Sequence, residues 1–322
     1  MCGHRDDQSA KHRYMKVDSF GPLEHVDCAM CGPGETSLVT VQPAFGEDFR
    51  VVRCSRCSLI YTNPRPTAAW NARYQDPACN AYVGANGRTP ECEPTADRLP
   101  GYHRLCGFLK KRTRSGATLL DVGCASGFFV KTAKEYGFAA TGCDSSETAV
   151  IEGRKRFGVQ LIDSPIEDIA VADETFDVIT MLRVFEHFPD PLKVLGEAWR
   201  ILKPGGLVLL ETLNHSPHYH LEKHVPFLLP AYKKITHSDV LPWRPYYSLY
   251  DWTPRTLLAA VQRAGFADGR CHLPSGLGTT KPSGRLGRIH RMCEMVGETL
   301  IRVGRGEFDY WPAIVMTAQK PR

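Results

Sequence analysis

Between residues 117 and 213 the chain alternates short apolar runs with longer amphipathic stretches. ATLLDV (117–122), FAATGCD (138–144), VQLID (159–163), FDVITMLRV (176–184) and LVLLETL (207–213) are the apolar runs. Runs of this length, near-continuously apolar, read as strands of a parallel sheet covered on both faces. In the stretch after the first run, Phe128, Val130 and Ala133 recur at helical spacing and turn one face to the sheet. A further helix from about Pro191 to Leu202 stops at Lys203-Pro204-Gly205-Gly206. After residue 252 the alternation resumes with a helix over TPRTLLAAVQRAG (253–265) and a strand near 267–273. A helix near 286–302 and a last strand over 309–319 complete it. Strands alternating with helices predict an α/β fold with a doubly wound, mostly parallel seven-stranded sheet.

Upstream the period changes. TSLVTVQPAF and DFRVVR alternate like the strands of a small β hairpin, and Cys28-Ala-Met-Cys31 and Cys54-Ser-Arg-Cys57 flank them. A two-residue gap lets both sulfurs of a knuckle face one ion. Four thiolates complete a tetrahedral zinc site with no position left open, which makes its expected role structural. Such an ion folds a segment too short to bury a core of its own. The zinc ribbon is assigned to 22–66, ending at the turn Asn63-Pro64-Arg65-Pro66. Residues 67–99 read as a linker with a short helix bearing Trp70 and Tyr74, then the Gly- and Pro-rich GANGRTPECEPTAD (84–97). A helix from about Ala96 to Thr113 leads into the larger domain, 100–322. Within that domain the aromatic, His-rich stretch 214–252 interrupts the pattern and reads as a lid insertion.

Composition narrows the function classes. The 322 residues are 43% apolar and 23% charged, as in an ordinary globular protein, and the net charge of +5 is mild. The opening MCGHRDDQSAKHRYMK has no apolar run that would serve as a signal peptide, and no stretch approaches the ~20 apolar residues of a membrane span. Twelve cysteines in that setting predict thiols and metal sites in a cytoplasmic protein. The eight outside the knuckles have no metal-like spacing.

The turn Gly123-Cys124-Ala125-Ser126-Gly127 follows the first strand, and Asp144 ends the second. Glycines let a backbone approach a ligand closely, and the next helix offers free N–H groups. An acid about 20 residues further on grips ribose hydroxyls in a Rossmann-like site. These features alone fit NAD, FAD or S-adenosylmethionine. The ordered series LLDVGCASG, GCD, FDVI, EHFPDP, ILKPGG and VQRAGF, however, resembles the class I S-adenosylmethionine-dependent methyltransferases. The resemblance is good over about 100–215 and looser over 250–319. The ribbon with RCSRCSLIYTNPRP is similar to one preceding methyltransferase domains in bacterial sugar, polysaccharide and natural-product pathways. Sugar C-methyltransferases of that kind are typically longer than this chain.

The resemblance implies S-adenosylmethionine as cofactor. It assigns Asp121, Gly123, Cys124, Ala125, Gly127 and Phe128 to the glycine loop, Asp144 and Ser145 to the ribose, and Ile166 and Glu167 to the adenine side. Arg183 and Phe185 fall where the methyl group meets the acceptor. Ala125 stands where many members carry glycine. Arg183 stands where ubiquinone-pathway relatives carry an acid associated with a metal, which counts against a catalytic metal here. Glu186 and His187 are the candidate catalytic residues, since a neutral imidazole suits deprotonation of a hydroxyl near pH 7. A structural histidine is the alternative at that position. Tyr219, His220, His224 and Trp243 in the insertion are candidate acceptor contacts; the histidine spacings there match no zinc pattern.

The implied activity is O- or C-methylation of a small molecule: a sugar, a nucleotide sugar or a specialised-metabolite intermediate. An RNA methyltransferase that holds RNA with its ribbon is one alternative. Acids offset the ribbon's basic residues, and no Asn/Asp-Pro-Pro-aromatic motif follows the fourth strand, so nucleic acid is the weaker partner. A non-catalytic cofactor-binding module is the other alternative. No membrane partner is expected. The ribbon shapes either the acceptor side or a subunit contact, such as that of a homodimer.

Overall fold

The cysteine-flanked hairpin folds as its period-two pattern predicts. β2 (Thr36–Ala44) and β3 (Glu47–Cys54) pair antiparallel, from Thr36 opposite Cys54 to Ala44 opposite Glu47. β4 (Ile60–Thr62) lies on the other side of β3, and β1 (Leu23–Glu24) pairs with β5 (Arg65–Pro66). The structure is a computed structural model, and it describes residues 22–44, 47–70, 99–214, 227, 230, 248–272 and 313–322. The expected helix near 286–302, Tyr74, and the candidate contacts Tyr219, His220, His224 and Trp243 lie outside the described residues.

The larger domain opens with helix α1 (Leu99–Lys110) and runs through β6 (Thr118–Val122), α2 (Phe128–Glu135), β7 (Ala139–Asp144), α3 (Glu147–Phe157) and β8 (Leu161–Asp163). β9 (Phe176–Leu182), α4 (Pro191–Ile201), β10 (Leu202–Leu213), β11 (Tyr250–Asp251), α5 (Pro254–Arg263), β12 (Ala267–His272) and β13 (Ala313–Gln319) follow. Local chemistry sets the helix starts. The Ser146 hydroxyl accepts from the Ala149 amide ahead of α3, Asp190 caps α4 with Pro191 in its first turn, and Thr253 and Thr256 form a reciprocal capping box on α5.

Seven strands form one sheet in the order β12-β13-β10-β9-β6-β7-β8. The five from β10 to β8 are parallel, and β13 runs antiparallel to both of its neighbours. The chain winds outward from β6 through β7 to β8, then returns to lay β9 along the other edge of β6. That reversal makes the crevice at the carboxyl ends of β6 and β9 the topological switch point, where open α/β sheets bind ligands. β10 begins earlier than the stop signal at Lys203-Pro204-Gly205-Gly206 suggests. Gly205, at φ 76°, donates to the Lys320 carbonyl and the Lys320 amide donates to Gly206. The glycine pair is thereby drawn into the sheet through a register shift between Leu202 and Leu207.

β11 lies inside the segment 214–252, yet it joins the ribbon's sheet, in the order β11-β4-β3-β2, with Tyr250 opposite Tyr61 and Asp251 opposite Ile60. One buried core accordingly runs from Cys28, Met30, Leu59 and Tyr61 of the ribbon through Tyr250 and Trp252 to Ile179, Leu210 and Met316 of the large sheet. Among the described residues, no helix is long and apolar enough to cross a membrane.

Asp177, near the start of β9, ties down the opposite end of the sheet from the crevice. Its Oδ2 accepts from the Thr118 amide and hydroxyl, both at 2.8 Å, and from Arg114 and Lys203, each at 3.1 Å. Burial works to raise its pKa, but the Thr118 donors and Lys203 outweigh burial and hold it at about 2, below the ordinary 3.8. The sign follows from linkage. The stabilisation is complete above about pH 4 and is lost as pH falls through about 2. Asp177→Asn is expected to cost about 1–2 kcal/mol at pH 7 and much less near pH 2, read from urea midpoints at the two pH values.

Candidate active site

Two loops meet at the switch point. After β6 the backbone turns through Gly123 at φ 69°, Ala125 at φ 47° and Gly127 at φ 74°. A Cβ on Gly123 would stand 2.4 Å from Cγ2 of Val184, which comes from the loop after β9. The first glycine is therefore required by the close approach of the second loop as well as by its dihedral. Arg183 directly follows β9 at φ 62°, and its amide donates to the Glu211 carbonyl on β10 at 2.7 Å. A non-glycine residue held there marks a backbone over-determined by its surroundings.

Asp144, at the end of β7, braces the glycine loop. Its Oδ2 accepts from the Ala125 amide at 2.8 Å and its Oδ1 from the Ser146 amide at 2.9 Å. Ala125 and Ser145 are exposed at this mouth, while Cys124 is buried with its thiol turned in against Gly142. Asp121 is buried at the end of β6, where Thr180 of β9 donates to its Oδ1 at 2.6 Å. Burial pushes the Asp121 carboxyl up to about 7; the Thr180 hydrogen bond offsets part of this, and the charge of Asp144 adds to the rise.

Ala125 pays for its left-handed conformation, since a Cβ is disfavoured there. Ala125→Gly is therefore expected to stabilise the protein by about 0.5–1 kcal/mol, read as a higher urea midpoint at unchanged slope.

The remaining cofactor candidates divide. Phe128 is half-buried at the start of α2, packed edge-on to Phe157 at 5.5 Å and beside Tyr102 at 6.3 Å. Ile166 is a core residue beneath the loop after β8. Its neighbour Glu167 is half-buried, and its Oε2 has no hydrogen-bond partner among the described residues. Burial raises its pKa. An amine donor at this position would satisfy that oxygen.

The turn Phe185–His187 lies beside the crevice, and all three residues are buried. Phe185 packs on Trp252 at 5.0 Å and edge-on to Phe188 at 6.2 Å. Glu186 Oε2 accepts from the Thr212 hydroxyl at 2.9 Å, and the His187 amide closes the turn onto the Val184 carbonyl. Glu211, Thr212 and Asn214, buried at the carboxyl end of β10, are brought to the same region. They were missing from the sequence expectations. Their signal is visible in LVLLETLN, where polar residues end an otherwise apolar buried strand.

The four knuckle cysteines converge as the spacing predicts, with all four Sγ atoms within 4.8 Å of one another and Cys28 and Cys57 at 3.5 Å. A tetrahedron of thiolates around zinc has sulfurs about 3.8 Å apart, so the cluster fits the ion. The knuckles match in backbone detail, with Gly32 and Ser58 both left-handed after the second cysteine. Burial works to raise the Cys54 thiol, but the amides of Cys57 and Arg56 outweigh it and bring it down to about 7. Arg56 also crosses to the first knuckle and donates to the carbonyls of Cys31, Gly32 and Pro33.

Comparison with known proteins agrees with this geometry. The family model described as a methyltransferase domain matches residues 99–268. The ubiquinone biosynthesis O-methyltransferase of Pseudomonas paraeruginosa is 36% identical over 113 residues, which are 33% of this chain and 49% of that protein. The protein of the same name from Alkalilimnicola ehrlichii is 33% identical over 160 residues, 46% of this chain and 63% of that protein. The chain thus spans about half to just under two thirds of these curated relatives. Among solved structures, the cyclase SpnF superposes with a TM-score of 0.51 at 18% identity, over 80% of this chain and 97% of that one. A likeness at that identity concerns the fold alone. With its glycine loop, strand-end acid and sheet order, the chain belongs to the methyltransferase-domain family of class I S-adenosylmethionine-dependent methyltransferases.

Proposed function

We propose that the chain transfers a methyl group from S-adenosylmethionine to a small-molecule acceptor, a sugar, nucleotide sugar or specialised-metabolite intermediate. The observation that carries this reading is the switch-point crevice, where Asp144 braces the glycine loop beside the buried Asp121. An acid at the end of β7, beside the glycine loop, suits a cofactor with vicinal ribose hydroxyls. The O-methyltransferase names of the relatives favour an oxygen acceptor over carbon.

Bound, the cofactor supplies an activated methyl group on a sulfonium. The chain supplies position and proton handling. Asp144 accepts from the ribose hydroxyls with Ser145 beside it. Glu167 takes the adenine amine on its free oxygen, with Ile166 packed below. Gly123, Ala125 and Gly127 let the backbone close on the amino-acid portion. Phe185 and the strained Arg183 form the wall at the transfer point. His187 takes the proton of an acceptor hydroxyl, and Glu186, fixed by Thr212, holds the turn's charge and shape. In-line placement supplies most of the rate, and a general base adds roughly 10²–10⁴-fold when the acceptor is un-ionised. The four cysteines hold a structural zinc ion, with no ligand position left for chemistry.

The test is incubation of the zinc-loaded protein and methyl-labelled S-adenosylmethionine with extract, separated into small molecules, RNA and protein. Label is expected in the small-molecule fraction and lost with Asp144→Ala. Label in RNA, or none in any fraction, contradicts the proposal.

A further inference from the structure

The ribbon and the Phe185–His187 turn are joined by more than proximity. The carbonyl of Leu249 accepts from the Thr62 amide of the ribbon at 3.0 Å, and the Leu249 amide donates to the carbonyl of Glu186 at 2.9 Å. One residue thus bridges β4 to the turn through its own backbone. Arg65 makes a second connection. It is buried, its Nε contacts Glu24 at 3.0 Å, and its Nη1 donates to the Pro189 carbonyl at 3.1 Å and to the Tyr250 hydroxyl at 3.0 Å. The Tyr250 hydroxyl in turn donates to Pro189 at 3.1 Å. A third link is aromatic. Tyr61, Tyr250, Trp252 and Phe185 stand in series with centroids 6.4, 5.7 and 5.0 Å apart.

We propose that the zinc ribbon is the positioning element of the acceptor-side turn, with Arg65 as the residue that locks it. This rests on the reading of that turn as the acceptor side. The physical reason lies in the backbone. The turn follows a left-handed Arg183 and is closed locally by the His187 amide on the Val184 carbonyl, while Thr212 and Leu249 hold Glu186 from other elements, so its place is over-determined from outside. A buried guanidinium satisfied by two carbonyl or hydroxyl acceptors and a carboxylate has fixed direction, which a lysine cannot reproduce. The ribbon in turn has its strands fixed by the cysteine cluster at the base of β3. Zinc at the cluster is thereby coupled to the turn through structure alone, with no ligand reaching from one to the other.

The experiment is amide hydrogen exchange by mass spectrometry on the full zinc-loaded chain, comparing wild type with Arg65→Met, Arg65→Lys and Tyr250→Phe. In Arg65→Met, peptides covering 183–190 and 248–251 are expected to exchange about tenfold faster, while 118–122 and 207–213 stay protected. Arg65→Lys falls between, and Tyr250→Phe, which removes only the shared hydroxyl, gives a rise of a few-fold. Zinc remains at one per chain, and affinity for S-adenosylhomocysteine stays within twofold. Unchanged exchange at 183–190 overturns the proposal, and so does a uniform loss of protection across the large sheet. If Arg65→Met does not fold, Tyr250→Phe decides. Failure of wild-type protein to bind S-adenosylhomocysteine would count against the function proposed above, whereas the exchange result judges the coupling independently.

Discussion

Asp144→Ala is expected to weaken S-adenosylmethionine binding by about two orders of magnitude or more. Two losses combine. The carboxylate would no longer accept from the ribose hydroxyls, and hydrogen bonds to a charged group are each worth about 1.5–3 kcal/mol. The glycine loop would also lose the brace between Ala125 and Ser146, both anchored on the same carboxylate at 2.8 and 2.9 Å. The loop would then sample other geometries and bind only from the competent fraction. Asp144→Asn keeps one acceptor oxygen, so it is expected to retain more affinity than alanine, with a loss nearer tenfold. Calorimetric titration of both variants, beside a thermal melt to show that each is folded, measures the difference. Equal affinity in wild type and alanine variant would place the ribose elsewhere.

Cys54→Ser is expected to have the largest effect on stability. The four sulfurs lie close enough to share one ion, and the same core joins them to Leu59, Tyr61, Tyr250 and Trp252. A structural zinc ion contributes on the order of 10 kcal/mol to folding in small domains. Losing a substantial part of that in a chain of this size lowers the melting temperature by on the order of 10 °C. Zinc content measured by atomic absorption should fall from one per chain to near zero, and strong chelation of wild type should reproduce the melt. Cys271→Ser serves as the control, because Cys271 sits half-buried on β12 away from the knuckles and should leave zinc content unchanged. Full stability without zinc would show that the cysteines are packed thiols.

The two structural periods were legible because they depend on local pattern. Near-continuous apolar runs gave β6, β7, β9 and β10, and paired knuckles gave the cysteine cluster to the residue. The place of Asp144 at the end of β7 was legible too, from an apolar run that ends in an acid, whereas its hydrogen bonds to the Ala125 and Ser146 amides were not. What escaped was set by contacts remote in sequence. β11 is two residues long, carries no period, and exists because Tyr61 and Ile60 lie alongside it. The early start of β10 depends on Lys320 at the far end of the chain. The burial of Phe185 against Trp252 likewise needs the ribbon's sheet to deliver Trp252. Thr212 became a partner of Glu186 only when β9 and β10 were placed side by side. Sequence spacing named the residues of each loop, and tertiary pairing decided which loops meet.

A glycine turn followed by an acid suits a dinucleotide as well as S-adenosylmethionine, and the crevice between β6 and β9 is expected to take only the latter. Calorimetric titration of the zinc-loaded full chain with S-adenosylmethionine, S-adenosylhomocysteine and NAD, in separate runs, tests it directly. One site per chain is expected for the first two, with micromolar affinity that falls in Asp144→Ala, and no heat of binding for NAD at the same concentrations. Binding of NAD at the Asp144-dependent site, or saturation by neither sulfur compound, would contradict it.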